Sequence, residues 1–283
     1  MTPGPEGVGK GDGKTAQTAV GALGHGTMSP MQPRGSNRLG SKVVIVTGGG
    51  TGIGRAVAER VVAEGGAVVL AGRRTDVGES AAAELGGGRA TFVRTDVTVE
   101  ADVERLVGAA LDRHGRLDGA FNNAGGVNAP GPVSTLDAAA WHADLVQNLT
   151  GVFLCLKHQI GAMRHGGSIV NNASIGGVAG MPGMSAYVAA KHGVVGLTRS
   201  AALEVARAGV RVNALVTGNV DTPLYRSLLG VGPDDPLPEP APNPTGRVAS
   251  PGEIAAFIAF LLSDEAAFVT GAALAVDGGS TAG

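Results

Sequence analysis

Several features are scarce in this 283-residue chain, and each scarcity narrows what the protein can be. Aromatic residues make up 3% of it and the formal net charge is −2, so neither a base-stacking platform nor a basic surface for nucleic acid is predicted. No apolar run is long enough to span a membrane, so no membrane partner is expected. The one cysteine, Cys155, leaves no internal disulfide and favours a reducing, cytoplasmic location.

Two further absences concern the N-terminal segment and metal ligands. Residues 1–40 lack apolar periodicity and are rich in Gly, Pro, Ser and Thr, a composition that cannot bury enough apolar surface to offset chain entropy. A disordered extension is predicted there, followed by one domain over residues 41–283. The histidines show no metal-ligand spacing that another ligand completes, so no metal is expected.

What the chain has instead is alternation between strand-like and helix-like runs. The runs VVIVTG, AVVLAG, LDGAFNNAG, GSIVNNAS and VRVNALV are apolar strands, and helical patterns separate most of them, the longest near residues 141–163 and 185–207. This order predicts an α/β fold, a three-layer doubly wound parallel sheet of the Rossmann type.

One segment, residues 223–247, interrupts the alternation. Its prolines predict irregular structure, and a loop of this length in a compact domain is typical of a substrate lid. A merely tolerated surface insertion is the alternative.

A glycine-rich turn, TGGGTGIG, joins the first strand to the first helix. Glycines there let a pyrophosphate approach the helix N-terminus, where free N–H groups favour negative charge, although such a turn could also be only a tight connection. The predicted cofactor contacts in this turn are Gly48, Thr51, Gly52, Ile53 and Gly54.

The end of the second strand indicates which dinucleotide would bind. An acidic residue that holds a ribose 2′-hydroxyl is expected about 20 residues after the turn. Arg73 and Arg74 stand there instead, and arginine suits a 2′-phosphate, so NADP(H) is favoured over NAD(H). The alternative is a solvated arginine pair, with Asp76 or no side chain at the ribose.

A candidate catalytic group lies in the stretch SIGGVAGMPGMSAYVAAK. Tyr187 and Lys191 are four residues apart on a predicted helix and therefore share one face. An ammonium beside the phenol would lower the tyrosine pKa and make Tyr187 a usable proton donor and acceptor.

Together these motifs resemble the short-chain dehydrogenase/reductase family, in its compact single-domain branch. The resemblance covers Val43 to about Gly279, with the motifs in the family's order: Thr47-Gly-x-x-x-Gly-Ile-Gly54, Asp96-Val97, Asn122-Asn-Ala-Gly125, Asn148, Ser174, Tyr187-x-x-x-Lys191 and Val276-Asp-Gly-Gly279.

The resemblance implies an oxidoreductase that moves a hydride between a nicotinamide cofactor and a carbonyl/secondary alcohol pair. It implies that Tyr187 is the general acid/base and that Lys191 lowers its pKa and binds the nicotinamide ribose. Ser174 would hydrogen-bond the reacting oxygen, and Asn148 would position a water in a proton relay.

The resemblance also implies cofactor contacts outside the glycine turn. Asp96 and Val97 would contact the adenine, and Asn123 and Gly125 would line its edge of the pocket. Thr222 would bond the nicotinamide carboxamide, with Val220 beside it.

The family usually has Pro-Gly after the sixth strand, and Thr217-Gly218 stands here, which leaves the course of residues 220–222 open. Two other classes of protein compete with the dehydrogenase: a catalytically silent dinucleotide-sensing regulator, and a sugar-nucleotide epimerase or dehydratase. The regulator would not need the four catalytic residues together, and the epimerase usually carries a larger C-terminal substrate domain.

The residues that would line the substrate pocket, 178–185 and 223–247, are mostly small, apolar or proline. They favour an uncharged, moderately apolar small molecule. The resemblance also implies a homo-oligomer, a dimer or a homotetramer built on the two long helices and the last strand.

Overall fold

Seven parallel β-strands form one sheet in the computed structural model, which describes residues 1, 2, 4 and 37–283. All elements lie in the compact unit Gly35–Gly283. The disorder expected for residues 1–40 falls mainly outside the described residues. In chain order the strands are β1 (Val43–Thr47), β2 (Ala67–Gly72), β3 (Ala90–Arg94), β4 (Gly119–Asn122), β5 (Gly167–Asn172), β6 (Val210–Thr217) and β7 (Ala273–Val276).

Residues 37–283 contain eight α-helices. They are α1 (Gly52–Ala63), α2 (Thr75–Leu85), α3 (Glu100–His114), α4 (Ala138–Leu145), α5 (Gly151–Ala162), α6 (Ser185–Val205), α7 (Pro223–Leu229) and α8 (Pro251–Leu262). None of the helices in the described part of the chain is long and apolar enough to cross a membrane.

The core lies on both faces of the sheet, as the all-apolar strands require. In β1, Val44 and Val46 pack into the cluster under α1 and α8, and Ile45 packs into the cluster under α3, α5 and α6. Successive side chains of a strand point to opposite faces, so one short apolar run serves two core layers. The predicted doubly wound parallel sheet is confirmed.

Three local features differ from the sequence-based expectations. The predicted helix near 141–163 begins at Ala138 and contains a turn of π-helix, Val146–Thr150, between α4 and α5. The predicted irregularity of 223–247 is wrong at its start, because Pro223 occupies the first turn of α7, where its missing N–H costs nothing. Helix α2 was not among the predicted elements at all.

The strands lie in the order β3-β2-β1-β4-β5-β6-β7. The chain adds β2 and β3 on one side of β1 and then adds β4 to β7 on the other side, so the order of addition switches between β1 and β4. In open parallel sheets the chain connections leave a crevice at such a point, outside the carboxyl ends of the strands. The glycine turn, the end of β4 and the end of β5 all open onto this crevice.

Candidate active site

The glycine turn has the conformation that a close backbone approach requires. Gly48 and Gly52 have φ values of +64° and +54°, which residues with a Cβ rarely adopt. A Cβ on Gly54 would collide with the carbonyl oxygen of Gly48. Thr51 caps α1 without a side-chain hydrogen bond, so the first N–H groups of the helix stay free for an anionic ligand.

A cavity of about 240 Å³ extends from this turn to the ends of β2 and β3. Arg73 and Arg74 lie on its wall with exposed side chains, and Asp96 and Val97 line its other side. The Asp96 carboxylate accepts from the backbone and hydroxyl of Thr98, at 3.0 and 2.8 Å. The described lining of this cavity thus has an acid at the end of β3 and two cations at the end of β2.

Asn123 and Gly125 lie where β4 ends. Gly125 borders both the first cavity and a second one of about 190 Å³, and Asn123 borders only the second, next to Tyr187 and Lys191. Asn123 also holds the glycine turn, because its side-chain nitrogen donates to the carbonyl oxygens of Thr47 and Gly48 at 3.2 and 3.4 Å.

The second cavity places the glycine turn next to two of the predicted nicotinamide contacts, Lys191 and Thr222. Gly48, Thr51, Gly52 and Ile53 form one wall and Thr222 another, while Val220 lies in the third cavity next to it. Thr222 is within 3.1 Å of where a Cβ on Gly52 would be, so glycine is needed there for space as well as for its backbone angle.

The third cavity, about 290 Å³, adjoins the second and is mainly apolar. Helix α7 and the segment before α6 supply most of its apolar wall, and none of its lining residues is charged: Ile53, Val127, Asn172, Ala173, Ser174, Ile175, Met181, Met184, Tyr187, Thr217, Gly218, Asn219, Val220, Thr222, Leu224, Tyr225, Leu228 and Leu229. Only the first part of the candidate lid, residues 224–229, borders this space.

Tyr187 lies at the boundary of the second and third cavities. Ser174 borders the third cavity and Lys191 the second, so the phenol stands between the two. The buried Lys191 ammonium donates to the carbonyl oxygen of Asn172 at 2.7 Å and lies 5.4 Å from the centre of the Tyr187 ring. Ser174 also accepts from the N–H of Gly176 at 3.1 Å, which fixes its hydroxyl at the end of β5.

Asn148 is fully buried in the π-helical turn, behind the strand-end loop. Its side chain accepts from the N–H of Gly126 at 3.0 Å and donates to the carbonyl oxygen of Gly126 at 2.9 Å. A Cβ on Gly125 would lie 2.6 Å from Asn148 Oδ1 and 3.8 Å from Lys191 Nζ. The asparagine and the lysine therefore face the same glycine from two elements.

Burial has the largest effect on the pKa values of Tyr187 and Lys191. It raises the pKa of Tyr187 above its usual value, an effect that the Ser174 hydroxyl opposes and Asp144 adds to. The expectation that Lys191 lowers the tyrosine pKa stays a prediction. The Lys191 ammonium lies 5.4 Å from the centre of the tyrosine ring, and burial lowers its own pKa to about 8.

Two contributors were missed by sequence reasoning. Asp144 lies one helical turn before Asn148, fully buried, and accepts from its side-chain nitrogen. Asn172 borders both the second and third cavities, and its Oδ1 accepts a hydrogen bond from the Thr217 hydroxyl at 2.6 Å. The four-residue spacing of Asp144 and Asn148 is visible in the sequence, whereas the Thr217–Asn172 contact joins residues 45 positions apart.

Several known proteins are similar to this chain over most of its length. A family model described as enoyl-(acyl carrier protein) reductase matches residues 48–281. The chain is 46% identical over 250 residues to a 2,5-dichloro-2,5-cyclohexadiene-1,4-diol dehydrogenase of Sphingobium indicum, covering 86% of this chain and 98% of the relative. It is also 46% identical over 248 residues to a cis-4-hydroxycyclohexanecarboxylate dehydrogenase of Sinomonas cyclohexanicum, covering 85% and 97%.

A solved structure, the crystal structure of levodione reductase, superposes with a TM-score of 0.81 at 40% identity, covering 86% of this chain and 98% of that one. The chain belongs to the short-chain dehydrogenase/reductase family and is a nicotinamide-dependent oxidoreductase of hydroxyl and carbonyl groups.

Proposed function

We propose that this protein interconverts an uncharged alicyclic secondary alcohol and its ketone, with NADP(H) as the preferred cofactor and Tyr187 as the general acid/base. The observation that carries the proposal is the position of Tyr187, which borders the apolar third cavity on one side and the Lys191 cavity on the other. A substrate oxygen in the third cavity would meet both the phenol and the Ser174 hydroxyl.

The residues fit a dinucleotide. The turn with Gly48, Gly52 and Gly54 leaves room for a pyrophosphate at the free N-terminus of α1, and the crevice continues to both sides of it. Asp96 and Val97 would border the adenine, and Thr222 the nicotinamide. When bound, the cofactor supplies or accepts the hydride.

The protein's own share of the reaction is one proton and its route. In the reduction Tyr187 donates its proton to the developing alkoxide, and in the oxidation it takes the alcohol proton. Ser174 hydrogen-bonds the same oxygen and stabilises its charge. Lys191 and Asn148, both buried behind the tyrosine, would carry the proton onward through an ordered water.

The preference for NADP(H) is supported by charge at the end of β2. Arg73 and Arg74 line the first cavity there, where an acid would be needed to hold a ribose 2′-hydroxyl. Asp76 is not among the residues that line this cavity. A 2′-phosphate would find two guanidinium groups, each able to form charge-assisted hydrogen bonds.

The substrate class is supported by the shape and polarity of the third cavity. Its volume of about 290 Å³ and its leucine, isoleucine and methionine walls suit a compact apolar ring. Two relatives carry names that specify six-membered ring alcohols. Since no charged residue lines the cavity, a ring that bears a carboxylate fits less well than a neutral one.

The remaining expectations stay predictions. One is a cytoplasmic location, which is compatible with the free, buried thiol of Cys155. Another is a catalytic domain over residues 41–283, with a substrate lid in residues 223–247. A homo-oligomer, dimer or tetramer, would cover Val146 and Phe153, which are 40% and 47% exposed in the single chain.

The test is a steady-state assay of cyclohexanol, a neutral cyclohexanediol and 4-hydroxycyclohexanecarboxylate with each cofactor. We expect turnover of the neutral alcohols and a loss of about 100-fold or more in Tyr187→Phe. Replacing Arg73 and Arg74 by alanine should raise the KM for NADP about tenfold or more and leave that for NAD nearly unchanged. Arg113→Ala, at an exposed site on α3, is the matched control.

Two results would overturn the proposal. Full turnover in Tyr187→Phe would remove the assigned acid/base. A lower KM for NAD than for NADP in the wild-type protein would remove the cofactor preference.

A further inference from the structure

A buried carboxylate lies behind the candidate proton-transfer site. Asp144, near the end of α4, is fully buried. Its Oδ1 accepts from the side-chain nitrogens of Asn148 and Asn128, the latter at 3.2 Å. Its Oδ2 has no hydrogen-bond partner among residues 37–283. Burial of a carboxylate costs free energy, which the two amide donors offset in part.

Asp144 is connected to the site of Lys191 through Asn148, because Asp144 holds the Asn148 amide and both Asn148 Oδ1 and Lys191 Nζ lie within 4 Å of where a Cβ on Gly125 would be. The negative charge of Asp144 raises the pKa of both Tyr187 and Lys191. Lys191 donates to the Asn172 carbonyl oxygen, and no carboxylate of the described chain lies within 4.0 Å of its ammonium. The Asp144 carboxylate is therefore a long-range counter-charge to the buried Lys191 ammonium. Asn148 lies next to the carboxylate.

The other titratable groups on the packed elements do not replace it. On α4 itself His142 is exposed and contacts the Ala138 carbonyl oxygen. On α6 His192 is exposed and contacts the Val188 carbonyl oxygen. The π-helical turn, residues 146–150, carries no ionisable side chain. Three ionisable groups therefore share this interior: Asp144 on α4, and Tyr187 and Lys191 in the first half of α6.

We propose that Asp144 is a positioning residue of the proton-transfer site, which holds the Asn148 amide across one helical turn and supplies the negative charge that faces Lys191 and Tyr187. The proposal rests on the proposed function of those residues. It assigns two separable effects to one side chain: a hydrogen bond that aims Asn148, and a field that keeps protons on the tyrosine and lysine.

Asparagine separates the two effects. An amide at position 144 can still accept from Asn148 and Asn128 through its oxygen, and its nitrogen replaces the oxygen that has no partner. Asp144→Asn therefore removes the charge and keeps the hydrogen bonds, whereas Asp144→Ala removes both.

The chain allows a direct readout, because it has only two tyrosines, Tyr187 and Tyr225. In cofactor-free Tyr225→Phe protein, the near-ultraviolet absorbance of tyrosinate as a function of pH reports Tyr187 alone. We expect the midpoint of this titration to move to lower pH when Asp144→Asn is added, since the loss of a nearby negative charge lowers proton affinity. Circular dichroism at each pH verifies that the protein is folded.

Asp137→Asn is the matched control. It removes the same charge from an exposed position of the same helix and keeps an N-cap side chain, so its midpoint should equal that of the parent. A midpoint that is unmoved in Asp144→Asn, or moved equally in Asp137→Asn, would overturn the proposal.

Kinetics provide the second measurement. The limb of the kcat/KM profile for alcohol oxidation should move to lower pH in Asp144→Asn. The kcat should fall about tenfold only in Asp144→Ala, where Asn148 loses its side-chain acceptor and keeps only the carbonyl oxygens of Gly126 and Asp144. If Asp144→Asn does not fold, Asp144→Ser removes the charge and keeps a hydroxyl acceptor. Turnover that survives Tyr187→Phe refutes the proposed function, whereas an unmoved titration midpoint refutes the role of Asp144 alone.

Discussion

At the scale of single residues, Thr217 shows how a departure from the family pattern is accommodated. Its hydroxyl donates to Asn172 Oδ1 at 2.6 Å, and the Asn172 side chain donates to Asn123 Oδ1 at 2.9 Å. Asn123 in turn donates to the carbonyl oxygens of the glycine turn. A proline at 217 would fix one backbone angle, whereas the threonine joins the ends of four strands by side-chain hydrogen bonds.

Replacing the hydroxyl therefore gives the first prediction. Thr217→Val keeps the shape but leaves Asn172 without a donor, so we expect about 1–2 kcal/mol lower free energy of unfolding. Because Asn172 borders two of the cavities, the KM for the alcohol should rise as well. Urea unfolding and steady-state kinetics measure the two effects. Thr217→Ser, which keeps the hydroxyl, should behave like the wild type, and an equal loss in both variants would contradict the role of the hydrogen bond.

At the scale of elements, helix α1 is held at both ends. It starts at the glycine turn and ends at Glu64, which is 2% exposed and accepts from Arg38 at 2.6 and 2.9 Å and from Arg60. Burial raises the pKa of Glu64, but the hydrogen bonds of the two arginines outweigh it, and the net pKa is lowered. This buried group connects the segment before β1 to the helix that starts at the glycine turn.

The second prediction concerns that ion pair. Glu64→Gln leaves two arginines around a neutral amide, so it should lower the free energy of unfolding by about 3 kcal/mol at neutral pH. A depressed pKa stabilises the fold above the unfolded-state value of about 4.3, and this contribution is lost as pH falls through the folded-state pKa. The difference between wild type and Glu64→Gln in chemical denaturation should therefore shrink in acid.

A control for the same arginine is available. Glu265 is exposed and lies 3.4 Å from Arg38, so Glu265→Gln should cost no more than about 1 kcal/mol. A difference between wild type and Glu64→Gln that does not change with pH would contradict the assigned ionisation.

The sheet and most helices could be predicted because they follow from apolar periodicity, which is a local property. Helix α2 could not, because it packs through small residues: Gly78 and Ala81 are its buried positions, and a Cβ on Gly78 would collide with the Phe92 ring. Its run TDVGESAAAEL therefore has almost no large apolar residue to reveal a period.

The candidate site divides in the same way. The types of catalytic residue could be read from motifs, since each stands at a fixed place relative to a strand or helix end. Asp144 lies one helical turn from Asn148, a spacing that the sequence shows. The position of these two residues relative to Lys191 depends on packing between α4, the π-helical turn and α6. Residues separated by 40 or so positions meet there, and no local pattern specifies their distances.

At the scale of the whole molecule, the strand order explains why one crevice can serve cofactor and substrate together. The chain runs from β1 outward to β3 and then returns to β4, so the glycine turn and the Asn123 loop lie on opposite sides of one gap. The later strands β5 and β6 add Ser174 and the 217–222 segment on the same edge. Both cavities around Tyr187 thus lie at the carboxyl ends of neighbouring strands, and β4, between β1 and β5, is the middle strand of the sheet.

The last prediction tests where this unit begins. Leu39 is fully buried against the cluster under α1, its N–H donates to the Glu64 carbonyl oxygen at 3.1 Å, and Arg38 pairs with Glu64. Aligned relatives are covered over 97–98% of their own length by about 250 residues of this chain, so removal of residues 1–36 should leave melting temperature and kcat/KM unchanged. Removal of residues 1–40 should cost about 2 kcal/mol or more and lower the melting temperature by roughly 5–10 °C, because the Leu39 side chain and the Arg38 ion pair are lost with it. Thermal unfolding of the two truncated proteins and of the full chain measures the change in melting temperature. An equal decrease in both truncated proteins would place the start of the folded unit before residue 36.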